Sequence, residues 1–169
     1  MKKLLVIVDM QNDFVDGALA NKDAKKIIKK IKKYAEDFDG DIIFTRDTHT
    51  KKYMETQEGV NLPVPHCIRG TDGWMIVEEL RDIPGIYYIN KPTFGSTDLA
   101  RIIRRSYADA DVYFCGTCTG ICVISNAMVA KAFAPEAKIH ILSKLCACIT
   151  PESHQTALDA MKMCQMDII

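Results

Sequence analysis

The sequence has no excess of charge of either sign and no long apolar run. It contains 22 basic and 22 acidic residues, so its formal net charge is zero. A balanced charge gives no reason to expect binding to nucleic acid or to an anionic membrane, because both attract clustered basic side chains. No apolar run approaches the roughly 18 residues that a membrane-spanning helix needs. We therefore expect a soluble protein without a nucleic-acid or membrane partner.

The first apolar run, residues 4–8, is also too short for a secretion signal. It ends at Asp9, whereas the apolar region of a signal peptide has about 7–15 residues. We interpret this run as a buried β-strand and expect a cytoplasmic protein. The chain of 169 residues shows no internal repeat, low-complexity tract or linker. These absences favour one domain over residues 1–169.

Seven cysteines are present, an odd number for a set of disulfides. Without an export signal, we interpret most of them as reduced thiols that pack as small apolar side chains. Cys115 and Cys118 have the C-x-x-C spacing of redox motifs, but Cys115 falls in a predicted strand and not at the start of a helix. Cys146 and Cys148 are too close together for half of a usual zinc site. Neither role is therefore favoured for these cysteines.

Strand-like apolar runs alternate with helix-like patterns along the chain. The predicted strands cover residues 4–8, 42–45, 86–89, 112–115 and 139–142, with a short sixth strand within 166–169. The predicted helices cover residues 21–38, 73–80, 97–105, 119–133 and 150–164. Residues 46–72 have neither period and contain Pro63 and Pro65, which is typical of a long functional loop. The alternation predicts a parallel sheet that helices cover on both faces.

Polar side chains suited to chemistry follow four of these predicted strands. They are Asp9 after the first strand, Asp47 and His49 after the second, Lys91 after the third, and Cys118 and Cys122 after the fourth. Parallel sheets bind ligands at the carboxyl ends of their strands, so we expect these side chains to lie close together. His154 lies further beyond the fifth strand and fits this pattern less well.

Asp9, Lys91 and Cys122 form a candidate catalytic set. A cysteine becomes a nucleophile when a base or a cation lies near it. Asp9 can accept the thiol proton, Lys91 can keep Asp9 charged, and a first-turn helical position favours a Cys122 thiolate and an amide site for an oxyanion. The alternative is a buried apolar cysteine beside a plain ion pair. Phe14 and Phe94 are candidate walls of a pocket, although core packing explains either equally well.

A second candidate site lies in the span from Asp47 to His66. Asp47, His49 and His66 offer metal-binding side chains, and the loop between them contains Glu55 and Glu58. Imidazoles and carboxylates brought to one point are typical ligands of a divalent metal such as zinc. The alternative is that Asp47 and His49 are loop-capping residues and that His66 is a packed loop histidine.

Five stretches of the chain resemble isochorismatase-like cysteine hydrolases, and are most similar to nicotinamidases. They are VDMQNDF (8–14), TRDTH (45–49), PHCIRGT (65–71), KPTFGSTDL (91–99) and GTCTGICV (116–123). The resemblance implies one isochorismatase-like hydrolase domain with a doubly wound, mostly parallel sheet of five or six strands. It assigns the catalytic triad to Asp9, Lys91 and Cys122. It also implies a cis peptide between residues 117 and 118, with the amides of Cys118 and Cys122 as oxyanion donors.

The same resemblance implies a metal and a reaction. Nicotinamidases bind zinc or iron beside the triad, and Asp47, His49 and His66 match that site. Family members take a fourth ligand from the intervening loop, for which Glu58 is our candidate and Glu55 the alternative. We expect zinc, with iron or manganese as alternatives, and hydrolysis of nicotinamide to nicotinate and ammonia through a cysteine thioester in NAD salvage. By analogy we also expect a homo-oligomer.

The chain departs from the family pattern at two places near the expected site. Thr119-Gly120 stands where the family often has Thr-Asp, and Leu62-Pro63-Val64 replaces an aromatic residue before His66. These differences concern the identity of the small amide substrate more than the chemistry. Two alternatives therefore stay open: another amide or carbamoyl hydrolase with the same triad, and a non-catalytic ligand-binding relative. Isochorismate hydrolysis is disfavoured because it does not require a cysteine nucleophile.

Overall fold

A six-stranded sheet with only parallel neighbours forms the centre of the computed structural model, which describes residues 2–169. The strands are β1 (Lys3–Val8), β2 (Asp41–Asp47), β3 (Tyr87–Lys91), β4 (Asp111–Thr117), β5 (Lys138–Ala147) and β6 (Asp167–Ile168). Their order across the sheet is β3-β2-β1-β4-β5-β6. The order reverses between β1 and β4, where such sheets form a ligand crevice at the carboxyl ends of the strands. The predicted doubly wound α/β fold is confirmed.

Helices cover both faces of this sheet. They are α1 (Asn12–Val15), α2 (Lys22–Glu36), α3 (Gln57–Asn61), α4 (Thr97–Ser106), α5 (Ile124–Phe133) and α6 (Pro151–Met163). Capping side chains begin two of them as expected: Asn21 accepts a hydrogen bond from the Asp23 amide, and Thr150 accepts one from the Ser153 amide. Within residues 2–169, none of the helices is both long and apolar enough to cross a membrane.

The two cores lie on opposite faces of β1. Leu4, Val6 and Val8 belong to the core that includes residues of α4, α5 and α6. Leu5 and Ile7 belong to the core that includes residues of α2. All five side chains are fully buried, and each contributes about 1.5–3 kcal/mol of hydrophobic stabilisation. Packing on both faces therefore fixes the position of β1. It also fixes where the last residue of β1 lies at the crevice.

The predicted helix over residues 73–80 is wrong. The structure has two separate 3₁₀ turns there, Asp72–Trp74 and Glu78–Leu80. Between them, Ile76 pairs with Gln11 in an isolated antiparallel bridge, and the Val77 amide donates to the Met10 carbonyl. The backbone of this segment therefore makes hydrogen bonds with the residues that follow β1. The same backbone groups cannot also make the hydrogen bonds of a helix.

The predicted helix over residues 119–133 is divided in the structure. Thr119–Val123 forms a π-helical turn, and α5 begins only at Ile124. The Cys118 carbonyl accepts hydrogen bonds from the amides of Ile121 and Val123, at 3.1 and 3.0 Å. Such turns occur frequently at functional sites. This one places Cys122 beside the carboxyl ends of β1 and β4.

The long loop after β2 carries more local structure than its sequence pattern indicates. Tyr53–Glu55 forms a 3₁₀ turn and is followed by α3. Tyr53 is almost completely buried, and its hydroxyl donates to the Leu62 carbonyl at 2.9 Å. A Cβ atom on Gly59 would lie 2.0 Å from the Tyr53 carbonyl oxygen, so only glycine fits this close approach. The packed loop fixes the position of Glu58.

Candidate active site

Four strand ends bring the predicted site residues to one edge of the sheet. Asp47 and Lys91 are the last residues of β2 and β3 and are directly paired in the parallel ladder. Asp9 follows β1, whose last residue, Val8, pairs with residues of both β2 and β4. Cys122 lies in the π-helical turn that follows β4. The topology therefore places three predicted triad residues and one predicted metal ligand at the switch point.

Lys91 lies at the centre of these side chains. Its ammonium nitrogen Nζ is 2.6 Å from Asp9 Oδ2, 3.6 Å from Cys122 Sγ and 3.6 Å from Asp47 Oδ1. It also donates to the Thr93 carbonyl at 3.0 Å. Burial alone would lower the pKa of Lys91, but the charges of Asp9, Cys122 and Asp47 raise it above its ordinary value. Lys91 is therefore a charged ammonium group with no direct access to solvent.

Asp9 has an environment unlike that of a surface carboxylate. Its side chain is fully buried, and Oδ1 accepts a 2.7 Å hydrogen bond from the Thr45 hydroxyl. Burial raises the pKa of Asp9 above its ordinary value, although Lys91 and Thr45 act in the opposite direction. The backbone φ is +50°, a left-handed conformation that is uncommon outside glycine. Backbone hydrogen bonds to Thr45 and Gln11 hold it there.

Cys122 is a buried thiol within reach of the other two groups. Burial raises the pKa of Cys122, and the charge of Asp9 raises it further while Lys91 opposes the effect. The π-helical geometry also means that Cys122 does not lie in a regular first turn of an α-helix, as its sequence position suggested. The arrangement favours the protonated thiol of Cys122 over a permanent thiolate.

The segment before Cys122 offers a candidate oxyanion site. The peptide bond between Thr117 and Cys118 is cis, as the family resemblance implies. Within residues 2–169, the amide of Cys118 makes no hydrogen bond, which leaves this donor available to a substrate oxygen. Gly116 has a φ of +116°, and a Cβ atom there would lie 2.1 Å from the Val8 carbonyl oxygen. Glycine is therefore required at position 116 of β4, where it faces the backbone of Val8.

Four side chains form a second cluster beside the triad. The ligand atoms of Asp47, His49, Glu58 and His66 all lie within 4.8 Å of one another. Asp47 Oδ2 is 3.0 Å from His49 Nε2 and 3.4 Å from His66 Nε2, whereas Glu58 Oε1 is 3.6 Å and 3.8 Å from the same two nitrogens. Tetrahedral zinc with ligands at about 2.0–2.1 Å separates its ligand atoms by about 3.3–3.4 Å. The cluster therefore has the donor set and the size of such a site.

Two details of this cluster further fit a metal ion. His66 Nδ1 lies 2.8 Å from the Val64 carbonyl, which can only accept, so Nδ1 carries the hydrogen and Nε2 is free to bind. Asp47 Oδ1 is buried without a hydrogen-bond partner in residues 2–169. Burial alone would raise the pKa of Asp47, but the hydrogen bonds with His49 and His66 hold it below its ordinary value. A charged carboxylate therefore faces two imidazoles.

The structure separates the two candidates for the fourth ligand. Glu58 lies in the first turn of α3 and its carboxylate reaches the cluster. Glu55 belongs to the preceding 3₁₀ turn, is exposed, and is not part of the cluster. Burial and the Asp47 charge raise the pKa of Glu58, as expected for a carboxylate next to another one. The geometry therefore favours Glu58 over Glu55.

The two predicted aromatic residues have different surroundings. The ring centroid of Phe14 is 5.6 Å from that of His66, and Phe14 lines a cleft of about 600 Å³ together with Leu62, Cys118 and Ile121. Phe94 is exposed and lines a separate depression beside α5. The structure therefore brings Phe14 beside the candidate metal ligands but does not place Phe94 in the same cleft. A substrate contact of either ring stays a prediction. A larger cavity of about 710 Å³ lies away from all of these residues, near the start of β1.

Three buried or partly buried polar side chains support the site and were missed in the sequence. Gln11 holds Asp47 by donating to its carbonyl at 2.8 Å and accepting from its amide at 2.7 Å. Asn126 donates to the Cys122 carbonyl at 2.8 Å, and Asp13 accepts from the Cys67 amide at 2.7 Å next to His66. For Asn126 the available signal was a polar residue in a mainly apolar segment, which indicates hydrogen bonding but not its partner. Gln11 and Asp13 lie within the matched stretch 8–14, whose spacing does not indicate what they contact.

The class of this protein follows from the fold and the site together. A parallel sheet of order 3-2-1-4-5-6, with a buried aspartate, lysine and cysteine at its switch point, defines an isochorismatase-like α/β protein. The chain belongs to the isochorismatase domain family, whose profile matches residues 3–169. The resemblance seen in the five sequence stretches is thereby confirmed.

The chain is similar in sequence and in structure to several known proteins. The chain is 29% identical over 174 residues to the uncharacterized isochorismatase family protein PncA of Bacillus subtilis (strain 168), an alignment that covers 94% of this chain and 93% of that protein. It is 26% identical over 176 residues to the nicotinamidase of Saccharomyces cerevisiae, covering 76% of this chain and 81% of the relative. The structure of Pyrococcus horikoshii pyrazinamidase in complex with zinc is 31% identical and covers 100% of this chain and 99% of its own, with a TM-score of 0.84.

Proposed function

We propose that the protein is a metal-dependent amidohydrolase that converts nicotinamide to nicotinate and ammonia through a thioester on Cys122. One observation carries this proposal: the Asp9–Lys91–Cys122 set lies next to a four-ligand cluster, and Lys91 contacts both. Two similar proteins, a nicotinamidase and a pyrazinamidase, are named for amides of nitrogen-containing rings, and the pyrazinamidase structure contains zinc. This arrangement suits a ring amide whose ring nitrogen binds the metal while its carbonyl carbon lies beside the Cys122 sulfur.

The proposed metal site consists of Asp47, His49, Glu58 and His66. When bound, a zinc ion would supply a Lewis acid that holds the ring nitrogen of the substrate, with iron or manganese as alternative ions. Phe14 lies beside this cluster and is the proposed aromatic wall of the substrate site. Phe94 is retained as a second proposed contact, which requires that its exposed ring turn towards the substrate.

The first half of the proposed reaction transfers the acyl group to sulfur. Asp9 accepts the Cys122 thiol proton, and Sγ attacks the amide carbonyl carbon. The amides of Cys118 and Cys122 donate to the oxyanion, and one such donor supplies about 3–4 kcal/mol of transition-state stabilisation. Asp9 then returns the proton to the departing nitrogen, so that the C–N bond breaks, ammonia leaves and a thioester remains.

The second half of the reaction uses the same groups in reverse. Asp9 removes a proton from water, whose oxygen attacks the thioester carbonyl, and the C–S bond breaks to release the acid. The proton on Asp9 returns to the Cys122 sulfur. Lys91 stays protonated throughout, because its buried ammonium faces the Asp9 carboxylate at 2.6 Å and the Cys122 sulfur at 3.6 Å. It therefore stabilises whichever of the two carries the negative charge.

The wider setting of the enzyme is part of the same proposal. A small amide would be its partner, without nucleic acid or membrane, and the reaction would belong to cytoplasmic NAD salvage. We further propose a homo-oligomer of single-domain subunits that span residues 1–169. Size-exclusion chromatography with light scattering tests the oligomer, and a monomer at micromolar concentration would contradict it.

Ammonia release from a panel of amides tests the proposed reaction. The zinc-loaded protein should hydrolyse nicotinamide and pyrazinamide, and should act far more weakly on benzamide, which has the same size but no ring nitrogen. Chelation should remove most of the activity, and zinc or iron should restore it. Cys122→Ala should abolish ammonia release while leaving the fold intact, as judged by circular dichroism.

Three outcomes would contradict the proposal. No turnover of nicotinamide by the metal-loaded protein would exclude the reaction. Metal-independent turnover of a linear carbamoyl compound would favour another cysteine hydrolase with the same triad. Binding of nicotinamide without any ammonia release would favour a non-catalytic ligand-binding protein.

A further inference from the structure

A second pair of cysteines lies beside the proposed oxyanion loop. Cys118 Sγ donates to Cys148 Sγ at 3.0 Å. Both residues follow directly after Thr117 and Ala147, which are partners in the parallel β4–β5 ladder. Neighbouring strands lie about 4.7–4.9 Å apart, within the range of Cα separations that disulfides tolerate. The two sulfur atoms need to approach by only about 1 Å to reach bonding distance.

The two thiols of this pair differ in acidity. Cys148 Sγ also accepts hydrogen bonds from the Ser153 hydroxyl at 3.2 Å and from the Gly120 amide at 3.4 Å. Burial alone would raise the pKa of Cys148, but these hydrogen bonds and that from Cys118 lower it. Burial and the hydrogen bond to Cys148 raise the pKa of Cys118 to about 12. Cys148 is thus the thiol more readily oxidised, and Cys118 is positioned to react with it.

Within residues 2–169, the other cysteines make no hydrogen bond to a second cysteine sulfur. Cys115 is fully buried in the α2-side core, and the sulfur that contacts Cys118 Sγ is that of Cys148 and not that of Cys115. Cys164 is exposed at the end of α6. Cys118, in contrast, is only partly buried and lines the cleft that contains Phe14. A small oxidant in that cleft therefore lies beside Cys118, whose sulfur is 3.0 Å from that of Cys148.

We propose that Cys118 and Cys148 are a redox-sensitive thiol pair, and that their closure to a disulfide slows turnover at Cys122. With hydrogen peroxide as oxidant, the Cys148 sulfur takes up one oxygen to become a sulfenic acid, and one water is released. The Cys118 sulfur then attacks the Cys148 sulfur, the S–O bond breaks, and a second water leaves. In total, two thiols lose two electrons and two protons, and one peroxide becomes two waters. A dithiol reductant reverses the change.

The effect on turnover rests on the proposed function, whereas formation of the bond does not. The amide of Cys118 is the proposed oxyanion donor, and its carbonyl binds the amides of Ile121 and Val123 in the turn that carries Cys122. Closure draws Cys118 towards β5 and away from the geometry that this turn requires. Loss of one oxyanion donor lowers turnover about 10²–10³-fold, so a partial displacement should lower it at least about tenfold.

Formation of the bond is tested in a Cys122→Ala background, in which the proposed nucleophile cannot be oxidised. After treatment with hydrogen peroxide, the intact mass should fall by two hydrogen atoms, and tandem mass spectrometry of non-reduced peptides should join Cys118 to Cys148. Adding Cys148→Ser should abolish the cross-link, whereas Cys146→Ser, the matched control two residues earlier in β5, should retain it. No mass loss, or a cross-link that survives Cys148→Ser, would overturn the proposal.

The effect on turnover is tested by oxidising the wild type and Cys148→Ser in parallel, followed by ammonia release from nicotinamide. The wild type should lose activity at least about tenfold and recover it with dithiothreitol, and Cys148→Ser should keep most of its activity. Equal losses in both proteins would assign the effect to Cys122 and overturn the regulatory part. A protein without amide turnover before oxidation would refute the proposed function, while the mass measurement would still decide the disulfide.

Discussion

Lys91 is the residue that connects the two halves of the site. Its ammonium group contacts Asp9 and Cys122 on one side and Asp47 on the other. A buried cation is stable only where anionic groups lie near it, and here two carboxylates, Asp9 and Asp47, do so. The lysine therefore couples the charge of the proposed catalytic groups to the charge of the proposed metal ligands.

Thr45 tunes the proposed base. Its hydroxyl donates to Asp9 Oδ1 and favours the charged carboxylate. Because Asp9 must be deprotonated to accept the thiol proton, Thr45→Val should raise its pKa and move the acidic limb of kcat/KM to higher pH, by about one unit. The measurement is a pH profile of nicotinamide hydrolysis, with the exposed Thr156→Val on α6 as control. An unchanged or lower acidic limb would contradict the assignment of Asp9 as the base.

Glu58 and Glu55 give a matched pair of variants for the proposed metal site. Glu58→Gln removes a charged oxygen ligand and should weaken zinc affinity at least about tenfold. Glu55→Gln lies three residues away on the exposed turn and should leave the affinity unchanged. Isothermal titration calorimetry on the chelated and dialysed proteins measures both. The reverse pattern would assign the fourth ligand to Glu55.

At the scale of the elements, the sequence predicted best where local signals agreed. Residues 4–8 of β1 are all apolar, and α6 begins with the Thr150-Pro151 start that its sequence indicates. The predictions failed where a non-local partner controlled the backbone. Residues 73–80 include backbone groups that hydrogen-bond to the residues after β1. Residues 119–123 form a π-helical turn in which amides donate to the Cys118 carbonyl. Periodicity in a sequence carries no information about such partners.

Gly116 lies where β4 packs against β1 beside the switch point, and we expect its substitution to destabilise the fold. Gly116→Ala combines an unfavourable φ of +116° with a Cβ atom 2.1 Å from the Val8 carbonyl oxygen. Backbone strain alone costs about 1–3 kcal/mol, and the clash between β4 and β1 adds to it. Urea unfolding should therefore show a lower free energy of unfolding.

Gly70→Ala is the control for that substitution. Its φ is +84°, but nothing lies within 4 Å of the added Cβ atom, so it tests backbone conformation without a clash. We expect the loss of stability to be clearly smaller than in Gly116→Ala. Equal losses in the two variants would show that close approach of the two strands is not what requires glycine at position 116.

At the scale of the whole molecule, the proposed metal ties separate parts of the chain together. Asp47 ends β2, Glu58 lies in α3, and His66 lies in the loop beyond it. A ligand that binds only the folded state stabilises it by about 2.7 kcal/mol at one hundred times its Kd. For a chain of this size, this corresponds to an increase in Tm of about 5–10 °C.

Differential scanning calorimetry with zinc and with a chelator measures this increase. Zinc should raise the Tm of the wild type, and the increase should be smaller in Glu58→Gln at the same zinc concentration. Equal Tm values of the wild type in zinc and in chelator would contradict a metal site that connects these segments.

The sequence alone determined the fold class and the family, and it predicted the main side chains of the candidate site. The apolar runs that predict the strands are a local property of the sequence. The five stretches that resemble the family contain the candidate site residues and can be recognised without the structure. The tertiary structure decided which side chains meet. It favoured Glu58 over Glu55, paired Cys118 with Cys148 rather than Cys115, and separated Phe94 from the cleft of Phe14. These outcomes depend on strand order and loop packing, which bring residues together across long separations that no local pattern records.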